Sequence, residues 1–321
     1  MRDRTFDIAK GIGIICMLLG HEPKLIGDIA QQVIYTFHMP LFFILAGYFT
    51  HIGKISLLED IKHSGRRLLL PYFFTFFLLL LWGILQTILK HNIAYCVRPV
   101  LSCLYGSCDL IESKFGAISV GAFWFVLGLF WAKIIFLALI RYTNKYTVMA
   151  TSAALSIFSI VLYRLLHFSL WSILPGVSGL IFIAIGWWYK NYGIPNGFVI
   201  VSIICWPIAY FSDIDMSVLF YKCYPIDVLG ACGGTYCIVK FSKWICSIHP
   251  KSLIGVSWCG EHSMTILSFH VFEILSAIAW SMVCRIPLQI EGNEMILFRY
   301  IVMMAMVYIC VNFKFTQKIY G

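Results

Sequence analysis

Long apolar runs separated by short polar or basic connections dominate the chain. A membrane-crossing helix needs about 20 mainly apolar residues. Runs that meet or approach this length fall at 6–25, 31–51, 68–89, 121–140, 147–166, 173–189, 198–211, 218–239, 257–283 and 295–313. The pattern predicts an all-α integral membrane protein with about ten transmembrane helices, forming a single domain over 1–321. The stretch 90–120 breaks the rhythm with Pro99, Gly106, Asp109 and Gly116. It is predicted to be a long outer connection that covers the mouth of the bundle.

Composition sharpens this reading. Apolar residues make up 60% of the chain, charged residues 12%, and the mean hydropathy is +0.86. A water-soluble domain would carry about twice that share of charge. The net charge of +9 does not point to nucleic acid, because the basic residues sit at the ends of apolar runs rather than on one polar face. Arg2, Arg4, Lys54, Lys62, Arg66, Arg67, Arg141, Lys145, Lys190, Lys240, Lys243, Lys251, Lys314 and Lys318 fall on the side of the N-terminus. Fewer fall opposite, among them Lys24, Lys90, Arg98, Lys114 and Arg285. The bias predicts both termini in the cytoplasm and a multi-pass protein of the inner or plasma membrane. The first run is followed by His21 and Glu22 without a small-residue cleavage site, so it is read as a retained helix. The 12 cysteines are scattered and suggest no metal cluster. Cys96, Cys103 and Cys108 share the outer connection, where a disulfide and free thiols are both open.

Ionisable groups inside an apolar run cost about 2.5–3.5 kcal/mol each on insertion scales, which makes them candidates for function. Lys10 and His21 are eleven residues apart, close to three helical turns and about 16 Å along one face. Asp7 lies one turn before Lys10 on that face. The bland alternative is a snorkelling lysine and a capping histidine. His38 opens the second run just before Pro40, whose ring frees a backbone carbonyl. It is read either as lining a wet cavity with His21 or as a satisfied bundle histidine. Arg66 and Arg67 precede a helix; they are a topology anchor or, with Lys10, a cytoplasmic pocket for a polyanion. Trp124 sits in an aromatic triplet that more often packs than reacts. Glu261 and His262 lie near the inner interface, whereas His270 lies deep in an apolar run.

These stretches together resemble a known family. Asp7-Ile8-Ala9-Lys10-Gly11-Ile12, the run ending in Gly20-His21, and Phe37-His38-Met39-Pro40-Leu41-Phe42-Phe43 through Gly47-Tyr48 are similar to the acyltransferase 3 family. Arg66-Arg67-Leu68 with Pro71-Tyr72, Phe123-Trp124-Phe125 and the stretch Gly260 to His270 follow the same pattern in order. The resemblance implies a ten-helix membrane O-acyltransferase. Such an enzyme moves an acyl group, commonly acetyl, from cytoplasmic acyl-CoA to a hydroxyl of a surface polysaccharide or lipid-linked glycan. It places the family's essential histidine at His21, with His38 beside it in the catalytic set, and donor binding at Lys10, Arg66 and Arg67. Asp7, Tyr48, Trp124, Glu261 and His270 are supporting candidates. Acetyl-CoA or another acyl-CoA is the expected donor and no metal is expected. The expected partners are the glycan acceptor and membrane lipid. Lys10 stands where the family usually has arginine, and Ala46 where it has serine before Gly-Tyr. A proton-coupled transporter or flippase of a glycan or small anion would also place histidines inside a bundle. The sequence lacks the inverted-repeat symmetry common among such transporters.

Overall fold

The computed structural model describes residues 3–51, 56–249, 253–283 and 293–320. Arg2, Lys54, Lys251 and Arg285, which entered the charge pattern, lie outside the described residues. The described chain is helical throughout, with two isolated antiparallel bridges, Ile111 to Ile118 and Asp215 to Phe220. The helices are α1 (Arg4–Gly20), α2 (Pro23–Ile26), α3 (Asp28–Tyr35), α4 (His38–Tyr48), α5 (Leu57–Lys90) and α6 (Ala94–Tyr105). Next come α7 (Trp124–Tyr142), α8 (Lys145–Leu166), α9 (Ile173–Ser178), α10 (Leu180–Tyr192) and α11 (Asn196–Ala209). The last are α12 (Tyr224–Ile248), α13 (Ile254–Glu261), α14 (Ser263–Val283), α15 (Asn293–Asn312) and α16 (Lys314–Tyr320).

Among the described residues, four helical stretches are long and apolar enough to cross a membrane: Asp28–Tyr48, Leu57–Lys90, Gly121–Tyr142 and Lys145–Leu166. Two bent pairs raise the number to six if each is one span, Leu170–Ser178 with Leu180–Tyr192 (46°) and Ile296–Asn312 with Lys314–Tyr320 (98°). Other predicted runs differ in detail. The run 257–283 breaks at His262, between α13 and α14. The run 218–239 is helical only from Tyr224, because Asp215 and Phe220 first close a tight turn through paired backbone bonds. Helix α5 starts eleven residues before the apolar run, where Ser56 and Glu59 form a reciprocal capping box.

Helix α1 is surrounded by α3, α4, α12, α13 and α14. Close approach depends on glycine. A Cβ on Gly11 would come 1.9 Å from the Val256 carbonyl oxygen, and one on Gly260 would come 1.8 Å from that of Asp7. Helices α4 and α10 cross in the same reciprocal way, Gly47 against Ile183 and Gly186 against Ile44. Small residues that let backbones touch are the usual basis of helix packing in lipid. The interior is filled by large rings such as Phe43, Tyr72, Phe123, Phe136 and Phe182. Apolar side chains also cover outward faces: Ile84, Ile88 and Leu89 on α5, Ile157, Phe158 and Val161 on α8, and Ile200 and Ile204 on α11. Water would penalise such continuous exposure, whereas hydrocarbon favours it.

The stretch after α5 is partly ordered as helix. The Tyr72 hydroxyl donates to the Cys103 carbonyl at 2.8 Å, tying α6 to α5. Ser172 Oγ donates to the Gly106 carbonyl, and Tyr163 bonds Asp109, which pins the segment to its neighbours. Cys96, Cys103 and Cys108 are free thiols.

Candidate functional site

Helix α1 ends at Gly20, and His21 caps it. The His21 ring turns back along the helix, with Nδ1 2.8 Å from the Met17 carbonyl oxygen. A carbonyl can only accept, so Nδ1 carries the hydrogen and, in the neutral ring, Nε2 keeps its lone pair. His38, the first residue of α4, repeats the device: its Nδ1 lies 2.8 Å from the Ile34 carbonyl oxygen. Both rings therefore present Nε2 as a base or hydrogen-bond acceptor. The break between α3 and α4 sets this up, because Phe37 leaves the helical path just before His38.

His270 of α14 completes the group. Its ring centroid lies 5.1 Å from that of His21, the residue is fully buried, and neither ring nitrogen has a hydrogen-bond partner in the described structure. His38 stacks on Tyr35 at 5.1 Å and is within electrostatic reach of His21. Asp215, in the tight turn before α12, is within electrostatic reach of both His21 and Tyr35. The Gly20 carbonyl accepts from Gln31 Nε2 at 2.7 Å and from the Tyr35 hydroxyl at 3.3 Å. These bonds fasten the end of α1 to α3.

A charged chain runs behind His270. Glu273 Oε2 is 3.7 Å from His270 Nδ1, and its Oε1 accepts from Arg299 Nε at 2.5 Å. Arg299 also reaches Glu22 Oε1 at 3.4 Å, and the Tyr300 hydroxyl donates to the Leu18 carbonyl at 2.9 Å. Helices α14 and α15 are thereby tied to the end of α1 that carries His21. Removing one partner of a buried ionic group leaves the other uncompensated, at a cost of about 3–5 kcal/mol. Arg299→Met is expected to destabilise the protein by about 3 kcal/mol, read as a lower thermal unfolding midpoint in detergent. Arg299→Lys should recover only part of it, because lysine lacks the planar fork that reaches two carboxylates.

At the opposite end of α1, Lys10 Nζ pairs with the buried Asp7 carboxylate at 2.9 Å. Arg66 and Arg67 are exposed on α5. Arg67 and Asp60 are within electrostatic reach of Lys133 on α7, and Asp60 bonds Arg141 at 2.6 Å. Tyr48 lies at the far end of α4 from His38. It packs against Phe6 at 4.9 Å and Tyr189 at 5.9 Å, with Lys190 over its ring at 4.8 Å. Trp124 is buried at the start of α7 and packs edge-on against Phe125, which contacts Phe42 and Phe43. Glu261 is exposed at the end of α13. Among the sequence candidates, then, the fold gathers His21, His38 and His270 at one end and pairs Lys10 with Asp7 at the other.

Glu22, Glu273, Arg299, Asp215 and Lys133 were not selected from the sequence as chemical candidates. Glu273, Arg299 and Lys133 carry the signal used for the histidines, an ionisable group inside an apolar run. Glu273 stands one turn after His270, on the same face. Among the described residues, no group of three or more His, Cys, Asp or Glu is arranged to hold a metal ion.

A family profile described as "Acyltransferase domain", of the acyltransferase 3 family, matches residues 3–313. The chain is also similar to the nodulation protein NolL of Mesorhizobium japonicum (strain LMG 29417 / CECT 9101 / MAFF 303099). The two are 30% identical over 151 residues, covering 44% of this chain and 35% of that protein. The match thus spans about a third of the length of the curated relative. No solved structure matches this chain. With the profile running over nearly its whole length, the chain belongs to the acyltransferase 3 family of membrane acyltransferases.

Proposed function

We propose that this protein is an O-acyltransferase, acetyl-transferring in the first instance. It takes its acyl group from cytoplasmic acyl-CoA and delivers it to a hydroxyl of a cell-surface polysaccharide or lipid-linked glycan. The reading places one catalytic domain in the inner or plasma membrane, with ten passes and both termini in the cytoplasm. The observation that carries it is the half-buried His21 ring, bonded to Met17 with Nε2 available, beside the buried His38 and His270.

His21 Nε2 takes the proton from the acceptor hydroxyl as its oxygen attacks the thioester carbonyl. The tetrahedral centre then collapses, the carbon–sulfur bond breaks, and the leaving thiolate receives that proton from His21. The product ester and free thiol balance the step. Positioned bases of this kind contribute about 10²–10⁴-fold. His38 Nε2 faces the same region as a second acceptor for the incoming hydroxyl, and His270 with Glu273 braces the His21 ring from behind. Donor phosphates are held by Arg66 and Arg67, with Lys133 adding charge nearby; guanidinium groups suit phosphate because they bind it in a fork. Lys10 shares its charge with Asp7 and forms a positive wall on the path. Tyr48, Trp124 and Glu261 shape the surroundings and do not touch the reacting atoms.

Mass spectrometry of surface glycans from cells with and without the gene tests the proposal. Loss of one acyl-group mass per modified repeat is expected in the deletion, with its return on complementation. Identical spectra would overturn it.

A further inference from the structure

A cleft of about 180 Å³ opens between α1, α4, α10, α11 and α12, away from the histidine cluster. Its walls are largely apolar, with Ile44 of α4 among them. Several hydroxyl-bearing residues line it, among them Ser202 and Thr235. Both residues are at least nine-tenths buried, and neither hydroxyl has a hydrogen-bond partner in the described structure. A buried polar group left unpaired costs about 1–3 kcal/mol, a cost that a guest bringing acceptors would offset. The rim carries Lys240, Lys243 and Asp3. Lys240 Nζ stands 5.3 Å over the Tyr236 ring, and the Asp3 carboxylate caps α1 through the Thr5 amide at 2.9 Å.

We infer that this cleft binds a membrane phospholipid, with its phosphate on Lys240 and Lys243, its ester carbonyls on Ser202 and Thr235, and a chain along the apolar wall. Three observations converge on that occupant. Lys240 and Lys243 follow Thr235 by five and eight residues on one helix, a rise of about 7.5–12 Å. A phospholipid sets its ester carbonyls below its phosphate in the same order. The lining residues' two lysines and one carboxylate leave a net positive charge, with Lys190 close by over the Tyr48 ring, which suits a phosphodiester. Helix α11, which lines the cleft, shows Ile200, Val201 and Ile204 on its outward face, so the cleft borders a hydrocarbon-facing surface. Basic pockets between membrane helices on the cytoplasmic side are a recurring form of lipid head-group recognition. An occupied cleft would also brace α4, the helix that begins with His38.

The inference is independent of the acyl-transfer reading, and its test reads binding rather than turnover. Protein purified in detergent is titrated with phosphatidylglycerol, and the bound fraction is read by native mass spectrometry. One lipid per chain is expected. Lys240→Ala with Lys243→Ala should weaken binding roughly 30-fold, the effect of losing two cations at a membrane surface. Ser202→Ala with Thr235→Val should weaken it by a smaller factor, while Lys62→Ala, on α5, should not. The lysines are exposed, so the double variant is expected to fold, which its unfolding midpoint checks. Equal retention of lipid by the wild type and the double lysine variant would overturn the proposal. So would competitive displacement of the lipid by acetyl-CoA, which would give the cleft to the donor.

Discussion

His21→Ala is expected to lower acyl transfer by about 10²–10⁴-fold, the contribution of a positioned general base, while the protein accumulates and unfolds as the wild type does. The side chain stands at the end of α1 and its hydrogen bond in the described structure returns to its own helix, at Met17. Truncation therefore leaves the bonds that hold Gly20 to Gln31 and Tyr35 in place. The variant is assayed with purified protein, labelled acyl-CoA and glycan acceptor, and the unfolding midpoint is measured on the same preparation. His21→Gln offers an amide in place of the imidazole but cannot take the proton, so it should be as slow as alanine. A rate within threefold of wild type, on the order of 0.6 kcal/mol in the barrier, would remove His21 from the chemical step.

The second large effect concerns folding. Gly260→Ala is expected to prevent stable assembly of α1 against α13, at a cost above about 3 kcal/mol. The added Cβ would meet the Asp7 carbonyl oxygen at 1.8 Å and the Gly11 nitrogen at 2.7 Å. Both are main-chain atoms and cannot rotate away, so one helix must move. Gly255 provides the internal control. It lies on the same helix α13, has open space around its Cβ position, and should accept alanine with a gain of up to about 1 kcal/mol from helix propensity. Protein yield and the unfolding midpoint of the two variants decide the matter. If both behave alike, the clash is relieved elsewhere and the α1–α13 contact is looser than its geometry requires.

Much of the helical framework was legible because hydropathy reports burial in lipid over many residues at once. The interruptions were not. The turn at Thr36 and Phe37, the break at His262 and the bend at Gly179 each involve one or two residues, too few to lower a windowed average. The apolar stretch from Val218 misled for another reason: its register is set by the turn that pairs Asp215 with Phe220, a bond between non-neighbours. The candidate site divides in the same way. His21, His38 and His270 announce themselves as ionisable groups in apolar runs. That His270 meets His21, and that Arg299 bridges Glu273 and Glu22, depends on α14 and α15 returning to the end of α1. No local pattern in either segment contains that information.

The glycine contacts between α1 and α13 have one more consequence. His270 follows α13 by a single break, and His21 ends α1, so the spacing of the two rings rests on a main-chain fit as well as on the Arg299 and Tyr300 contacts around them. Residues lining the approach for an acceptor are free to change without resetting the distance between the rings. The fold thus sets the ring spacing partly through backbone contacts that a change of rim side chain leaves in place.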